Sequence, residues 1–141
     1  MRIIQVWRGK AVWIFKRTPE QLAVLPGLNT RLADPNSTNV DQTPAFARNT
    51  DRTIKGTETI GVIVGICTHL GCSPTYFPEM VPQPFDPEWQ GGFYCPCHQS
   101  RFDMAGRVFK GVPAPSNLEV PPYHYPDDNT IVIGVAPEGA V

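Results

Sequence analysis

The sequence has little charge and no surplus of either sign: 12 Lys and Arg stand against 13 Asp and Glu, for a formal net charge of −1. No long run of like charge interrupts it, so the basic footprint that a nucleic-acid backbone selects is missing and no nucleic-acid partner is expected. Long apolar runs are missing too. The longest, Ile60 to Cys67, spans eight residues, which suits a buried strand and falls short of the roughly 20 that cross a bilayer. The start, Arg2 to Val6, reads as a strand and not as a signal peptide. Scarcity of charge also excludes a disordered chain. Only 18% of residues are charged, against 41% hydrophobic and 10% aromatic, which is enough apolar surface to fold.

Proline is abundant. There are 16 in 141 residues, about twice the average usage of roughly 5%. Proline breaks helix interiors and is kept out of central strands, so a helical bundle, a coiled coil and a long-helix α/β fold are all excluded. The length suits one domain. The composition predicts a mostly β, loop-rich domain with one or two short helices. Ten of the prolines fall in two windows, 74–87 and 113–126.

Along the chain, Ile3 to Trp7 and Ala11 to Lys16 are β-rich runs joined by Arg8-Gly9-Lys10, a hairpin signal. Thr18-Pro19-Glu20-Gln21 is a helix start: Thr18 caps, Pro19 suits the first helical position and Gln21 completes a capping box. That helix ends before Pro26-Gly27. Residues 28–58 are polar and without period, an irregular connection with room for one more helical turn. Their sequon, Asn36-Ser37-Thr38, reads as a chance match. Ile60 to Ile66 is a buried strand. Residues 73–90 carry five prolines and are expected to hold no regular structure. Gly92 to Cys95 is a short strand, and Phe102-Asp103 with Arg107 to Phe109 form a hairpin about Ala105-Gly106. Leu118 to Val120 and Thr130 to Val135 are expected as closing strands around a turn at 126–129.

All four cysteines and two of the three histidines lie in two hexapeptides, Cys67-x-His69-x-x-Cys72 and Cys95-x-Cys97-His98. Each follows a strand and opens a loop, so two hairpin tips can close on a metal. Three readings compete. Zinc takes Cys₂His₂ sets, but Cys67-x-His69 and Cys97-His98 are tighter than the usual zinc spacings, and six candidates are two too many. A pair of disulfides, with three possible pairings, leaves unexplained why a histidine sits beside cysteine in both loops. A [2Fe–2S] centre in which two histidines replace two cysteines on one iron takes one Cys and one His from each loop. It leaves one cysteine per loop to pair, and so uses all six.

CTHLGC at 67–72 and CPCHQS at 95–100 resemble the two cluster-binding boxes of Rieske proteins. The resemblance implies a Rieske-type antiparallel β-sandwich carrying one [2Fe–2S] cluster. Its ligands would be Cys67, His69, Cys95 and His98, with Cys72 and Cys97 bridged by a disulfide. The cluster-binding subdomain would span about 64–116, on base sheets of about 1–63 and 117–141. Within this family the chain is most similar to the bacterial Rieske subunit of the cytochrome bc complex. Both bridging cysteines are present, 25 residues separate His69 from Cys95, and Gly111-Val112-Pro113-Ala114-Pro115 looks like that subunit's proline loop. Val112 is an insertion similar to bacterial members. Trp7-Arg8-Gly9-Lys10, the TPEQL helix and the Asp34-Pro35…Gln42-x-Pro44…Asn49 stretch look like parts of the same head domain. The Rieske subunit of an arsenite-oxidase-type enzyme and a Rieske ferredoxin serving an oxygenase are the alternatives.

The resemblance further implies an electron-transfer component of quinol–cytochrome c oxidoreductase. Its partners would be quinol at cytochrome b and a cytochrome c-type haem. The parent would be held at the periplasmic face of a bacterial inner membrane by an N-terminal helix and hinge that this stretch lacks. The imidazoles of His98 and His69 would meet the quinol, hydrogen-bond it and accept its proton. Ser100 would donate to a bridging sulfide. Phe102 stands where mitochondrial members carry a Tyr that bonds a ligand sulfur, which implies a lower potential. Gln99 replaces the usual Gly of the second box. Leu70, Gly71, Pro96 and the 111–115 loop would form an apolar docking tip. His124 lies outside both boxes and is expected to be a surface or packing histidine.

Overall fold

A computed structural model of the chain describes residues 2–39, 41–68, 71–97 and 99–137. β1 (Arg2–Trp7) turns at Arg8-Gly9 into β2 (Lys10–Lys16), and β2 pairs antiparallel with β3 (Ile60–Val64), in the order β1-β2-β3. The pairing sets Val12 opposite Val64 and Trp13 opposite Ile63, and all four are buried. A second antiparallel sheet holds β4 (Thr75–Phe77), β5 (Gly92–Cys95) and β6 (Ser100–Asp103). A third is the ribbon of β7 (Tyr123–Asp127) and β8 (Thr130–Ile133), with an irregularity between His124 and Asp127. The only α-helix among the described residues, α1 (Pro19–Val24), has the full capping box: the Thr18 hydroxyl accepts from the Gln21 N–H, and the Gln21 side chain accepts from the Thr18 N–H. No helix among the described residues is long and apolar enough to cross a membrane.

Two expectations need correction. Residues 73–90 contain a strand after all, because 75–77 is a proline-free triplet between Pro74 and Pro78, and three residues suffice for an edge strand. Residues 118–120 are not a strand. Their backbone groups bond three different segments, through Leu118 N–H to Gly106, Val64 N–H to Glu119, and Val120 N–H to Gln42. The strand begins only after Pro121-Pro122, at Tyr123, and runs through Pro126. The helix ends before Pro26-Gly27 as expected, and the further helical turn expected within 28–58 is the 3₁₀ turn Ala45–Ala47; a 3₁₀ turn Pro26–Arg31 also follows the helix directly, since such a turn tolerates proline at its start.

The first two sheets meet through Phe93. Its ring, fully buried on β5, lies 5.4 Å from Trp13, 5.3 Å from Phe15 and 5.5 Å from Tyr76. Rings at these separations add attraction beyond the area they bury. Cys95 follows two residues on and is buried on the same side of the strand. β5 also packs unusually close to β6: a side chain at Gly92 (φ 148°) would collide with the Phe102 carbonyl and the Asp103 backbone. Only glycine fits that approach.

The irregular 28–58 segment is held by buried guanidinium groups. Arg107 and Asp103, both wholly buried, form an ion pair at 2.8 Å, and Arg107 also donates to the Asn29 side chain at 2.8 Å and the Leu25 carbonyl at 2.7 Å. Arg52 is buried and donates to the Ala105 and Leu118 carbonyls and the Thr43 hydroxyl. Burial pulls the Arg52 guanidinium down to about 9, yet with the Gln42 carbonyl it has carbonyl partners on three segments. Arg17 donates to the Glu58 and Asp51 carbonyls. Buried charge is tolerated only when bonded in this way.

Asp103 is the carboxylate paired with Arg107 in this network. Asp103→Asn leaves the Arg107 guanidinium buried without a counter-charge, and removing one partner of a buried pair costs about 3–5 kcal/mol. Urea unfolding should show a loss of that size in unfolding free energy, read as a lower midpoint at an unchanged m-value.

Candidate metal centre

β3 leads into the first loop, which closes on itself. The Cys67 N–H donates to the Cys72 carbonyl at 2.7 Å, and the Gly71 N–H donates to the Cys67 carbonyl at 3.1 Å. Gly71 takes φ 78°, a left-handed angle that glycine adopts without strain. The second loop is the tip of the β5–β6 hairpin. Cys95 and Ser100 are opposed in register, and the Gln99 N–H donates to the Cys95 carbonyl at 2.9 Å. Cys72 and Cys97 are joined by a disulfide, with Cα atoms 6.6 Å apart. This bond brings one tip onto the other.

Cys67 and Cys95 stand outside that bridge, one on each loop, with exposures of 2% and 1%. The sulfurs of Cys72, Cys95 and Cys97 lie within 4.8 Å of one another. Two of those three are spent in the disulfide, so the grouping marks how close the loops are and not a ligand set. The donor chemistry suits an iron–sulfur group: soft cysteine sulfurs, buried, supplied by two clasped loops. His69, Leu70 and His98 lie outside the described residues.

A third segment, 111–116, ties both loops together. The Ala114 N–H donates to the Ser100 hydroxyl oxygen at 3.0 Å, and the Thr68 hydroxyl donates to the Ser116 carbonyl at 2.6 Å. The segment thus bonds the residue after Cys67 on one side and the residue at the foot of the second tip on the other. Its own base is fixed by Asn117, whose side chain accepts from the Val108 N–H and donates to the Asp34 carbonyl. Within it Ala114 is buried, Val112 is half-buried, and Gly111, Pro113 and Pro115 are exposed, as are Gly71, Pro96 and Gln99 on the tips. Thr68 and Ser116 are the residues that sequence reasoning missed. A hydroxyl between two candidate ligands was the available signal, but its partner lies 48 residues away.

Phe102 is fully buried opposite Phe93 and brings no hydroxyl. Ser100 is also fully buried. Tyr94, next to Cys95, stacks on Phe85 at 4.0 Å, which pins the 73–90 segment against the second hairpin. His124 sits on β7, away from both loops, half-buried with its Nδ1 2.9 Å from the Val135 carbonyl oxygen.

Gln99 keeps the backbone shape of a glycine, with φ 64°. A left-handed residue costs roughly 1–2 kcal/mol, and glycine returns part of that gain through the entropy of the unfolded chain. Gln99→Gly should therefore stabilise the protein by about 0.5–1 kcal/mol, read as a rise in thermal midpoint.

Comparison with known proteins places these loops in context. A family model described as the Rieske [2Fe–2S] domain matches residues 31–123. The ubiquinol–cytochrome c reductase iron–sulfur subunit of Allochromatium vinosum is 53% identical over 128 residues, 91% of this chain and 60% of that protein. The subunit of the same name from Rhodospirillum rubrum is 40% identical over 133 residues, 94% of this chain and 63% of that protein. The mitochondrial Rieske subunit of the cytochrome b–c1 complex of Neurospora crassa is 37% identical, over 94% of this chain and 48% of that protein. The chain spans about three fifths of the length of the two bacterial relatives. In fold it is similar to the soluble domain of Rieske protein II from Sulfolobus acidocaldarius, with a TM-score of 0.52 at 22% identity, over 99% of this chain and 71% of that one.

Proposed function

The chain belongs to the Rieske [2Fe–2S] domain family, and from that premise we propose that it is the electron-transferring head of a quinol–cytochrome c oxidoreductase. The observation that carries the reading is the pair of buried cysteines, one on each of two loops joined by a disulfide. Similarity to bacterial subunits named for that reaction supports it. Residues 64–116 would be the cluster-binding part, resting on sheets from either side of it in sequence.

Cys67, His69, Cys95 and His98 would hold the [2Fe–2S] group. When bound, that group supplies a one-electron acceptor whose potential is raised by two neutral imidazoles in place of thiolates, to between about −150 and +300 mV. Ser100 would tune it. Its oxygen accepts the Ala114 N–H, which leaves the hydroxyl proton to be donated toward the bound sulfur. Segment 111–116 keeps water from one side. The imidazole nitrogen of His98 not engaged on iron would accept a hydrogen bond from a quinol hydroxyl and take up its proton, with His69 as the second such imidazole. The exposed tip of Gly71, Pro96, Pro113 and Pro115 would dock on cytochrome b, and the electron would leave to a cytochrome c-type haem. A disulfide suits an oxidising compartment, here the periplasmic side of a bacterial inner membrane.

Proton uptake at an imidazole makes the midpoint potential fall with pH above the pKa of the oxidised form, approaching about 59 mV per unit for one proton per electron. A redox titration from pH 6 to 10 should show that fall, and a flat profile would count against the histidine role. Phe102→Tyr adds one hydroxyl beside the ligand loop. If that hydroxyl reaches a ligand sulfur, a bond of about 0.5–1.5 kcal/mol should raise the midpoint by roughly 20–60 mV, measured by voltammetry.

A further inference from the structure

The geometry points to a basic shoulder beside the exposed tip, formed by Arg31, Arg101 and Lys110, that receives an acidic surface of the protein taking the cluster's electron. The inference deepens the proposed function and rests on it. The sequence around the tip is bare of charge: 65–78, 89–100 and 111–118 contain no Asp, Glu, Lys or Arg. Arg101 directly follows the second of these stretches, and Lys110 directly precedes the third. Glu119, at the other end of the third, is paired with Lys10 at 3.6 Å. Glu79 lies beyond Phe77, whose register partner Gly92 is at the end of β5 away from Cys95. The charge left beside the tip is positive.

Backbone bonds and one ring gather the three basic residues. The Phe109 N–H donates to the Arg101 carbonyl, and the Lys110 N–H donates to the Arg31 carbonyl. The Arg31 and Arg101 guanidinium groups lie 4.9 Å and 5.7 Å from the centre of the Phe109 ring. One buried carboxylate serves both: Asp86 is 2.6 Å from Arg31 and 3.8 Å from Arg101. It can neutralise only one of them. Even counting Glu88, whose carbonyl accepts from Arg31 at 3.4 Å, the group keeps a net positive charge. Both guanidinium side chains are partly exposed, and Lys110 is exposed.

The shoulder and the tip form one surface. Arg101 is opposed to Tyr94 in the β5–β6 register, so the two side chains share a face of that sheet. The Arg101 guanidinium also donates to the Phe85 carbonyl at 3.2 Å, beside the ring stacked on Tyr94. A cavity of about 400 Å³ opens there, walled by Arg101, Tyr94 and Phe85 and by Gln99, Gly111 and Pro113. The last three are exposed residues of the tip. An uncharged centre that makes contact and a charged rim that steers the approach is the usual division of a protein interface.

The test mixes the reduced, cluster-loaded chain with an acidic c-type cytochrome in its ferric form and follows the haem absorption. One electron leaves the cluster, and the haem iron goes from ferric to ferrous. At about 10 mM salt charges act over about 30 Å. There Arg101→Gln should lower the second-order rate constant about two- to fivefold, the factor that a surface ion pair is worth. Lys110→Gln should act in the same direction, while Arg101→Lys, which keeps the charge, should stay close to the parent chain. The loss should vanish at about 1 M salt, and against the same cytochrome with its carboxylates amidated. Removing a cation also lowers the cluster potential, which by itself would speed the transfer, so a slower rate reports docking. Arg101→Gln as fast as the parent, or a loss that persists at high salt or with the amidated cytochrome, would overturn the shoulder. Parent-like transfer with lost binding to phosphatidylglycerol vesicles would assign the cations to a lipid surface and overturn it too. A parent chain that takes up no cluster, or that reduces neither form of the cytochrome, would overturn the reading beneath it as well.

Discussion

Two loops on different sheets have to be held tip to tip, and everything else in the molecule serves that constraint. The Cys72–Cys97 disulfide imposes it directly. The bond closes a span of 25 residues, and chain-entropy arguments value such a closure at about 3–4 kcal/mol. That span contains the prolines of 74–87, which limit the freedom of the unfolded loop and the number of shapes the folded one can take. The 111–116 segment adds two hydroxyl bonds, one to each loop. The tips are therefore fixed by three separate attachments, and a site that changes charge by one electron gains from surroundings that do not rearrange.

The stiffness continues downward. Phe93 joins the strand that delivers Cys95 to the aromatic rings of the first sheet. The buried arginines do the same for the long irregular connection, by giving its carbonyls donors that no strand supplies. Asp103 links the two systems. It shapes the turn that follows the second hairpin by accepting from the N–H groups of Ala105 and Arg107, and it holds the Arg107 guanidinium that reaches across to Asn29 and Leu25. The two cysteine loops thus stand on a base whose buried arginines each donate to backbone carbonyls and whose apolar interior is continuous with Cys67 and Cys95.

Much of this is legible in the sequence alone. The first hairpin, the Thr18 cap and the strand at 60–64 announce themselves through local chemistry: a glycine turn, a capping box, a run of β-branched residues. The two boxes are equally plain, because cysteine and histidine at those spacings serve few purposes. What stayed hidden was set by partners far away in sequence. Residues 75–77 read as coil because their neighbours are prolines, and only the pairing with β5 makes them a strand. Residues 118–120 read as a strand by composition, yet each bonds a different segment. Thr68 looks like a spacer until its hydroxyl is seen on Ser116. The three arginines look like surface charges, since nothing local tells a buried guanidinium from an exposed one.

The central claim is that Cys67 and Cys95, with a histidine from each loop, hold a [2Fe–2S] group while the other two cysteines stay bridged. Electron paramagnetic resonance of the reduced, purified chain, with metal and sulfide analysis of the same sample, tests it most directly. The account predicts a rhombic signal with an average g below the free-electron value, and iron and sulfide sufficient for one [2Fe–2S] group per chain. A silent sample carrying zinc would contradict it.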